Sequence, residues 1–144
     1  MHTGSCLCGS IRYRTTSELS DFGYCHCRRC QKASGAGHGA NAGVARDHLA
    51  LQYPEQLLRE YESSPGKIRA FCSRCGSPLL AYLEHTPDLV RIQLGTLDTA
   101  FEKQARAHTF VSEKAAWEHI ADGLPQFDTW ADRDVLEQVG SKQP

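Results

Sequence analysis

The cysteines of this chain lie in three close groups whose spacing predicts metal binding. Seven cysteines occur among 144 residues. The groups are Cys6-Leu-Cys8, Cys25-His-Cys27-Arg-Arg-Cys30 and Cys72-Ser-Arg-Cys75. Thiols two or three residues apart converge on one ion, whereas disulfide partners need no such spacing, and an odd number of thiols argues against a closed disulfide framework. We therefore expect the thiols to hold metal.

The residues after each group divide the seven thiols into four and three. Cys8 and Cys75 are each followed by Gly-Ser, whereas Cys30 is followed by Gln31. Glycine suits the sharp turn of a zinc knuckle because it tolerates positive φ. We therefore predict a closed structural zinc site, with free surface thiols as the alternative for the first pair. Its predicted ligands are Cys6, Cys8, Cys72 and Cys75.

The three remaining thiols, Cys25, Cys27 and Cys30, predict a site with different chemistry. Their sulfurs can meet where an extended segment enters a helical turn. Four thiolates close a tetrahedral zinc ion, but three leave one position open. A soft, sulfur-rich site of this kind favours binding a further thiol and holding it as a nucleophilic thiolate. Chemistry on a bound thiol therefore fits the site better than hydrolysis. We expect chemistry on a small thiol here.

Nearby polar residues leave alternatives open around these three thiols. His26 lies between two of them and is expected to point to the opposite face. A second structural site closed by His38 or His108 is the alternative to an open position. Three cations lie beside the thiols in the chain: Arg28, Arg29 and Lys32. They either offset the thiolate charge or attract a carboxylate, or they are ordinary surface residues.

Short alternating segments predict a β-rich domain of about eight strands that would position these groups. Strand patterns cover residues 10–14, 49–53, 58–61, 68–71, 78–83 and 89–94. Turns are predicted at residues 63–66 and 86–88, and a mobile glycine-rich loop at 37–43. Helices are predicted at residues 28–34, ended by Gly35, and at 112–121. Four aromatic residues are expected in the core: Phe110, Trp117, Phe127 and Trp130.

Length and charge predict one zinc-binding domain over residues 1–130, followed by a short polar helix and tail at 131–144. A net charge of −1 gives no reason to expect a nucleic acid or a membrane as partner. The first ten residues contain no apolar signal stretch, and no apolar run reaches the roughly 20 residues that a membrane span needs. We therefore expect a cytoplasmic protein with reduced thiols.

Several motifs resemble the glutathione-dependent formaldehyde-activating enzyme family, which includes centromere protein V relatives. They are GSCLCGSIRY at residues 4–13, CHCRRCQKASG at 25–35, FCSRCGS at 71–77, LGTLD at 94–98, AHTFVS at 107–112, Trp117, and DGLPQF at 122–127. The resemblance covers about residues 3–130 and fills all seven cysteine positions. It implies an Mss4-like, β-tent fold of twisted antiparallel sheets with few short helices, stapled by zinc.

The resemblance also implies two zinc ions with separate roles. The first is structural, on Cys6, Cys8, Cys72 and Cys75, and the second is catalytic and more labile, on Cys25, Cys27 and Cys30. The implied activity is of the carbon–sulfur lyase class: reversible addition of glutathione to formaldehyde, giving S-hydroxymethylglutathione. The alternative function is a non-catalytic, zinc-stabilised module that binds a protein or nucleic acid. The basic patch is modest, so it gives little support to a nucleic acid as the partner. It consists of Arg12, Arg14, Arg28, Arg29 and Lys32.

Overall fold

The computed structural model describes residues 1–135 and divides the chain into two compact units. The first unit consists of Met1–Ser20 and Asn41–Glu102, and the second of Asp21–Ala40 and the described residues from Lys103 onward. The described strands are β1 Thr3–Ser5, β2 Arg12–Thr15, β3 Tyr24–Cys25, β4 Gly39–Ala45, β5 Leu49–Gln52, β6 Leu58–Ser64, β7 Lys67–Cys72, β8 Pro78–Leu83, β9 Thr86–Gln93 and β10 His108–Thr109. One α-helix, α1 at Arg28–Ser34, and short 3-10 turns at Arg46–His48, Leu94–Thr96 and Val111–Glu113 complete the described elements.

Two groups of antiparallel strands build the first unit. Strands β1, β2 and β5 form a small sheet, while β6, β7, β8 and β9 form a meander that continues into residues 41–45 of β4. Strand β7 alternates half-buried and buried side chains and ends at the fully buried Cys72. Ile11, Val90 and Ile92 are also fully buried, so apolar burial supports the strands that position the thiols.

Short strands and helix α1 build the second unit. Strand β3 pairs antiparallel with the first two residues of β4, so that Cys25 lies opposite Gly39. Strand β10 runs parallel to β3, with His108 opposite Tyr24. Helix α1 begins immediately after Cys27. This arrangement places the cysteines of residues 25–30 across a strand end and the first turn of a helix.

Several sequence predictions are confirmed. The chain is mainly β with few short helices, as expected. Helix α1 covers the predicted residues and ends at Gly35. The predicted turn at residues 63–66 joins β6 to β7. Each of the six strand patterns overlaps an observed strand.

Among the described residues no helix is long and apolar enough to cross a membrane.

Other predictions are wrong. The predicted helix at 112–121 is absent, because Lys114, with φ −52° and ψ 135°, leaves the helical region after the 3-10 turn at Val111–Glu113. The predicted loop at 37–43 is largely strand β4, and the predicted turn at 86–88 is the start of β9. Trp117 and Trp130 are 73% and 77% exposed and do not belong to the core, whereas Phe110 and Phe127 are half-buried.

The predicted polar helix and tail lie mostly outside the described residues. Residues 133–135 are helical, and the Asp132 carboxylate accepts hydrogen bonds from the amides of Asp134 and Val135, which caps this turn. The single domain over residues 1–130 stays a prediction.

Candidate metal centres

Four thiols of the first unit meet as predicted. The sulfurs of Cys6, Cys8, Cys72 and Cys75 all lie within 4.8 Å of one another. The Cys8 sulfur is 3.5 Å from that of Cys6 and 3.9 Å from that of Cys72. A tetrahedron with Zn–S bonds of about 2.3 Å places its sulfurs about 3.8 Å apart. The four thiols therefore fit a zinc ion of the closed, structural kind.

The two glycines after these cysteine pairs adopt the predicted knuckle conformation. Gly9 and Gly76 have φ of 72° and 75°, a region that glycine enters without steric cost. Each glycine amide donates a 2.8 Å hydrogen bond to the carbonyl oxygen of the first cysteine of its pair, Cys6 or Cys72. The Ile11 amide points at the Cys6 sulfur at 3.3 Å. These turns curl the backbone beneath the thiols and direct N–H groups toward them.

The local environment prepares one of these thiols for ligation and leaves another protonated until metal binds. Burial would raise the pKa of the Cys75 thiol, but hydrogen bonds from the amides of Ser77 and Cys8 lower it to about 6. Burial raises the pKa of Cys72 to about 11. Because zinc binds thiolates, loading this group must displace the Cys72 proton, which couples metal affinity to pH.

Three thiols of the second unit also meet as predicted. The half-buried sulfurs of Cys25, Cys27 and Cys30 all lie within 4.8 Å of one another. Cys25 ends strand β3, Cys27 has extended dihedral angles (φ −62°, ψ 150°), and Cys30 lies in the first turn of α1. The Cys30 amide donates to the Cys27 sulfur at 3.4 Å. A hydrogen bond with Cys30, together with burial, raises the pKa of the Cys25 thiol. Metal would therefore displace a proton here too.

No fourth side-chain ligand joins these three thiols in the part of the chain that the structure describes. No other Cys, His, Asp or Glu ligand atom lies within 4.8 Å of all three sulfurs. The two histidines considered for closure have other partners. His38 bonds Glu118 at 2.9 Å, and His108 bonds Asp122 at 2.9 Å.

A buried glutamine, Gln31, fixes the backbone that presents the three thiols. Its side-chain amide donates to the carbonyl oxygens of His26, at 2.6 Å, and Glu113, at 2.9 Å. Its amide oxygen accepts from the Arg28 guanidinium at 2.6 Å. The Arg28 backbone amide also donates to the Glu113 carboxylate at 2.8 Å. These bonds hold the start of α1 against residues 111–113, so the thiol positions are set before any metal binds.

Sequence reasoning identified the thiols but missed the polar groups behind them. The sequence does not predict Gln31, Glu118 or Asp122 as site residues, and for His26 it predicts only a side chain on the face opposite the sulfurs. The alternation of Cys25, His26 and Cys27 does predict that the histidine faces away from the sulfurs. Its contacts with residues more than eighty positions later leave no local signal. Arg29 and Lys32 are exposed beside the thiols, as the sequence suggested.

Two comparisons with known proteins place the chain in a family, and a third shows a similar fold. The family model described as "Glutathione-dependent formaldehyde-activating enzyme" matches residues 1–113. A Halomonas elongata protein described as a "Putative glutathione-dependent formaldehyde-activating enzyme" is 33% identical over 125 residues, covering 81% of this chain and 79% of that protein. A crystal structure of a Rhodobacter sphaeroides protein is similar in fold, with a TM-score of 0.57 at 17% identity over 69% of this chain and 91% of the other. The chain therefore belongs to the glutathione-dependent formaldehyde-activating enzyme family.

Proposed function

We propose that this protein is an enzyme that activates glutathione, or another small thiol, for reversible addition to formaldehyde or a related aldehyde. Its reaction is of the carbon–sulfur lyase class. Membership of the family supports the substrates. The observation that carries the proposal is the group of Cys25, Cys27 and Cys30, whose sulfurs lie within 4.8 Å of one another with no fourth ligand atom of the described chain at that distance from all three.

The three thiols suit a zinc ion that keeps an exchangeable position. When bound, zinc would lower the pKa of a thiol placed at that position and hold it as a thiolate. In the addition a carbon–sulfur bond forms, the π electrons of the aldehyde move to its oxygen, and the thiol proton ends on that oxygen. Holding both reactants at one site would supply much of the rate increase, because the bimolecular step becomes effectively intramolecular.

The residues of the second unit have separate tasks in this proposal. Cys25, Cys27 and Cys30 hold the ion, and Gln31 keeps their backbone in place through its three hydrogen bonds. The exposed cations Arg29 and Lys32 lie on α1, close to the thiols in the chain, and attract the carboxylates of glutathione. Their attraction is screened by solvent, so it affects substrate binding more than the chemical step.

The four thiols of the first unit have a structural task in the proposal. Zinc on Cys6, Cys8, Cys72 and Cys75 would join the amino-terminal segment to the end of β7, more than sixty residues later, and would supply folding free energy directly. Two zinc ions per chain follow, of which the ion on the three-thiol group is the more labile. All seven thiols are free of disulfides, which fits a reducing compartment such as the cytoplasm.

Exchange NMR with ¹³C-formaldehyde and glutathione tests the proposal. The rate of S-hydroxymethylglutathione formation should rise in proportion to wild-type protein above the rate in buffer, and Cys27→Ser should abolish the increase. A thermal melt of Cys27→Ser controls for folding, because the first-unit zinc group remains intact. If zinc-loaded wild type gives the buffer rate, the protein is not this enzyme, and the non-catalytic binding module becomes the better reading.

A pair of arginine variants tests substrate recruitment separately. Arg29→Gln should raise KM for glutathione with little change in kcat, because a screened surface charge contributes to encounter and binding. Arg59→Gln, on strand β6 of the first unit, is the matched control and should leave both constants unchanged. Equal effects of the two substitutions would remove Arg29 from the proposed substrate site.

A further inference from the structure

A third group of ligand-type side chains lies in the second unit, apart from both thiol groups. Ligand atoms of His26, His38 and Glu118 all lie within 4.8 Å of one another. His26 is fully buried, while the side chains of His38 and Glu118 are 30% and 16% exposed. The group is therefore accessible from solvent on one side and closed by a buried imidazole on the other.

We propose that His26, His38 and Glu118 form a binding site for a divalent transition-metal ion. Two imidazoles and one carboxylate are a ligand set used for zinc with an open position, and neutral imidazole also suits cobalt and nickel. The group combines one formal negative charge with two neutral donors, which favours a dication. This site is independent of the thiol chemistry proposed above.

The buried face of His26 supplies a separate reason to expect a ligand. Its Nδ1 atom is buried and has no hydrogen-bond partner, although its Nε2 atom lies 2.8 Å from Nδ1 of His108. A buried polar atom without a partner is costly, so native structures rarely leave one. Because Nε2 of His26 faces His108, Nδ1 is the nitrogen left to bind an ion, and an ion there would satisfy it.

A chain of hydrogen bonds fixes the tautomer that metal binding needs. The Asp122 carboxylate lies 2.9 Å from Nε2 of His108, so that nitrogen donates. Nδ1 of His108 must then accept from Nε2 of His26, which leaves Nδ1 of His26 with a bare lone pair. Metal-ligating histidines almost always donate their other N–H to such a partner, which is in turn oriented by further hydrogen bonds. Asp122 and His108 thus orient His26 as they would a metal ligand.

The other two proposed ligands, His38 and Glu118, contact each other beside His26. Nδ1 of His38 and Oε1 of Glu118 lie 2.9 Å apart. Gly37 gives this carboxylate its room, because a Cβ atom at that position would overlap Oε2 of Glu118. The Lys114 ammonium is the nearby cation that opposes metal, but it donates to the carbonyl oxygens of Ala115 and Glu118 rather than to the carboxylate. The carboxylate is therefore engaged by His38 and not by Lys114, and an ion bound between them would replace that hydrogen bond.

Titration of the reduced, full-length protein, loaded with only the two equivalents of zinc that the thiol groups take, with Co²⁺ tests the proposal. Wild type should bind one further equivalent with visible d–d absorption and without the near-ultraviolet band of a cobalt–thiolate bond. His38→Gln and Glu118→Gln should each weaken this binding at least tenfold. Asp122→Asn should weaken it roughly tenfold or more, although Asp122 would not touch the ion, because second-layer partners of metal ligands have effects of this size.

Two further variants separate a metal site from a hydrogen-bond network. Gly37→Ala should weaken Co²⁺ binding by displacing the Glu118 carboxylate, whereas His119→Gln is the matched control and should not, because His119 is exposed and outside the group. Failure to bind a further equivalent, binding only with a cobalt–thiolate band, or unchanged binding in His38→Gln would each overturn the proposal.

Discussion

Replacing Cys8 by serine separates metal binding from packing in the four-thiol group. Cys8 is exposed, so removing its sulfur forfeits little apolar burial. Structural zinc contributes on the order of 10–16 kcal/mol in small zinc modules, and losing one of four ligands would remove roughly 3–5 kcal/mol of it. At about 3 °C per kcal/mol for a chain of this size, the melting temperature of Cys8→Ser should fall by about 10–15 °C.

Thermal melts with and without a zinc chelator measure this effect. Leu7→Ser is the matched control, because Leu7 is 86% exposed and adjacent to Cys8, and its backbone amide still donates to Ser77. An exposed substitution of this kind changes stability by about 0.5 kcal/mol or less. Chelator should lower both proteins to a similar melting temperature below that of zinc-loaded Cys8→Ser, with the larger fall in wild type, because the variant has already lost part of the zinc stabilisation. If Cys8→Ser melts within about 2 °C of wild type, the four thiols do not hold a stabilising ion.

Three further substitutions test other parts of the structure. Gly76→Ala should lower the free energy of unfolding by about 1–2 kcal/mol in urea titrations. The cause is backbone strain, because a φ of 75° is unfavourable for alanine even though its Cβ atom would meet no neighbour. An unchanged urea midpoint would contradict the knuckle geometry. Burial raises the pKa of Tyr13 to about 12, so the stabilisation that the neutral Tyr13 side chain gives the folded state is complete below about pH 10 and is lost as the pH rises through 12. Phenolate absorbance should show one tyrosine that titrates last, and this tyrosine should be missing in Tyr13→Phe. Gln31→Leu leaves two backbone carbonyls without their donor. Chemical unfolding should show the free energy of unfolding fall by on the order of 1–3 kcal/mol for each buried acceptor. A stability equal to that of wild type would mean that Gln31 does not hold the thiol segment.

The features predicted from sequence depend on neighbours in the chain. The cysteine spacing and the Gly-Ser continuations identified both thiol groups, because a zinc knuckle is a local turn whose glycine needs positive φ. The alternating strands and helix α1 were predicted for the same reason. Gly43 shows where local patterns mislead: glycines suggested a loop, yet a Cβ atom there would lie 3.1 Å from Leu89 and 3.3 Å from Ser20. Glycine in this strand allows close packing and does not break pairing.

The features that the sequence did not predict depend on residues distant in the chain. The predicted helix at 112–121 has suitable composition, but Phe110 adopts a left-handed conformation and the Lys114 side chain satisfies nearby carbonyl groups. The hydrogen bond from His26 to His108 spans 82 positions. Such contacts arise from the pairing of β3 with β10, which has only two residues in each strand and almost no sequence signal.

Cadmium NMR of the metal-substituted protein tests the division of the thiols most directly. With ¹¹³Cd replacing zinc, we expect two signals from thiolate-bound ions, because four-thiolate and three-thiolate environments differ in shift. Added glutathione should move only the three-thiolate signal, and Cys27→Ser should remove or shift that signal while leaving the other unchanged. A single four-thiolate signal, or a second signal that glutathione does not affect, would contradict the assignment of Cys25, Cys27 and Cys30 to an open, thiol-binding site.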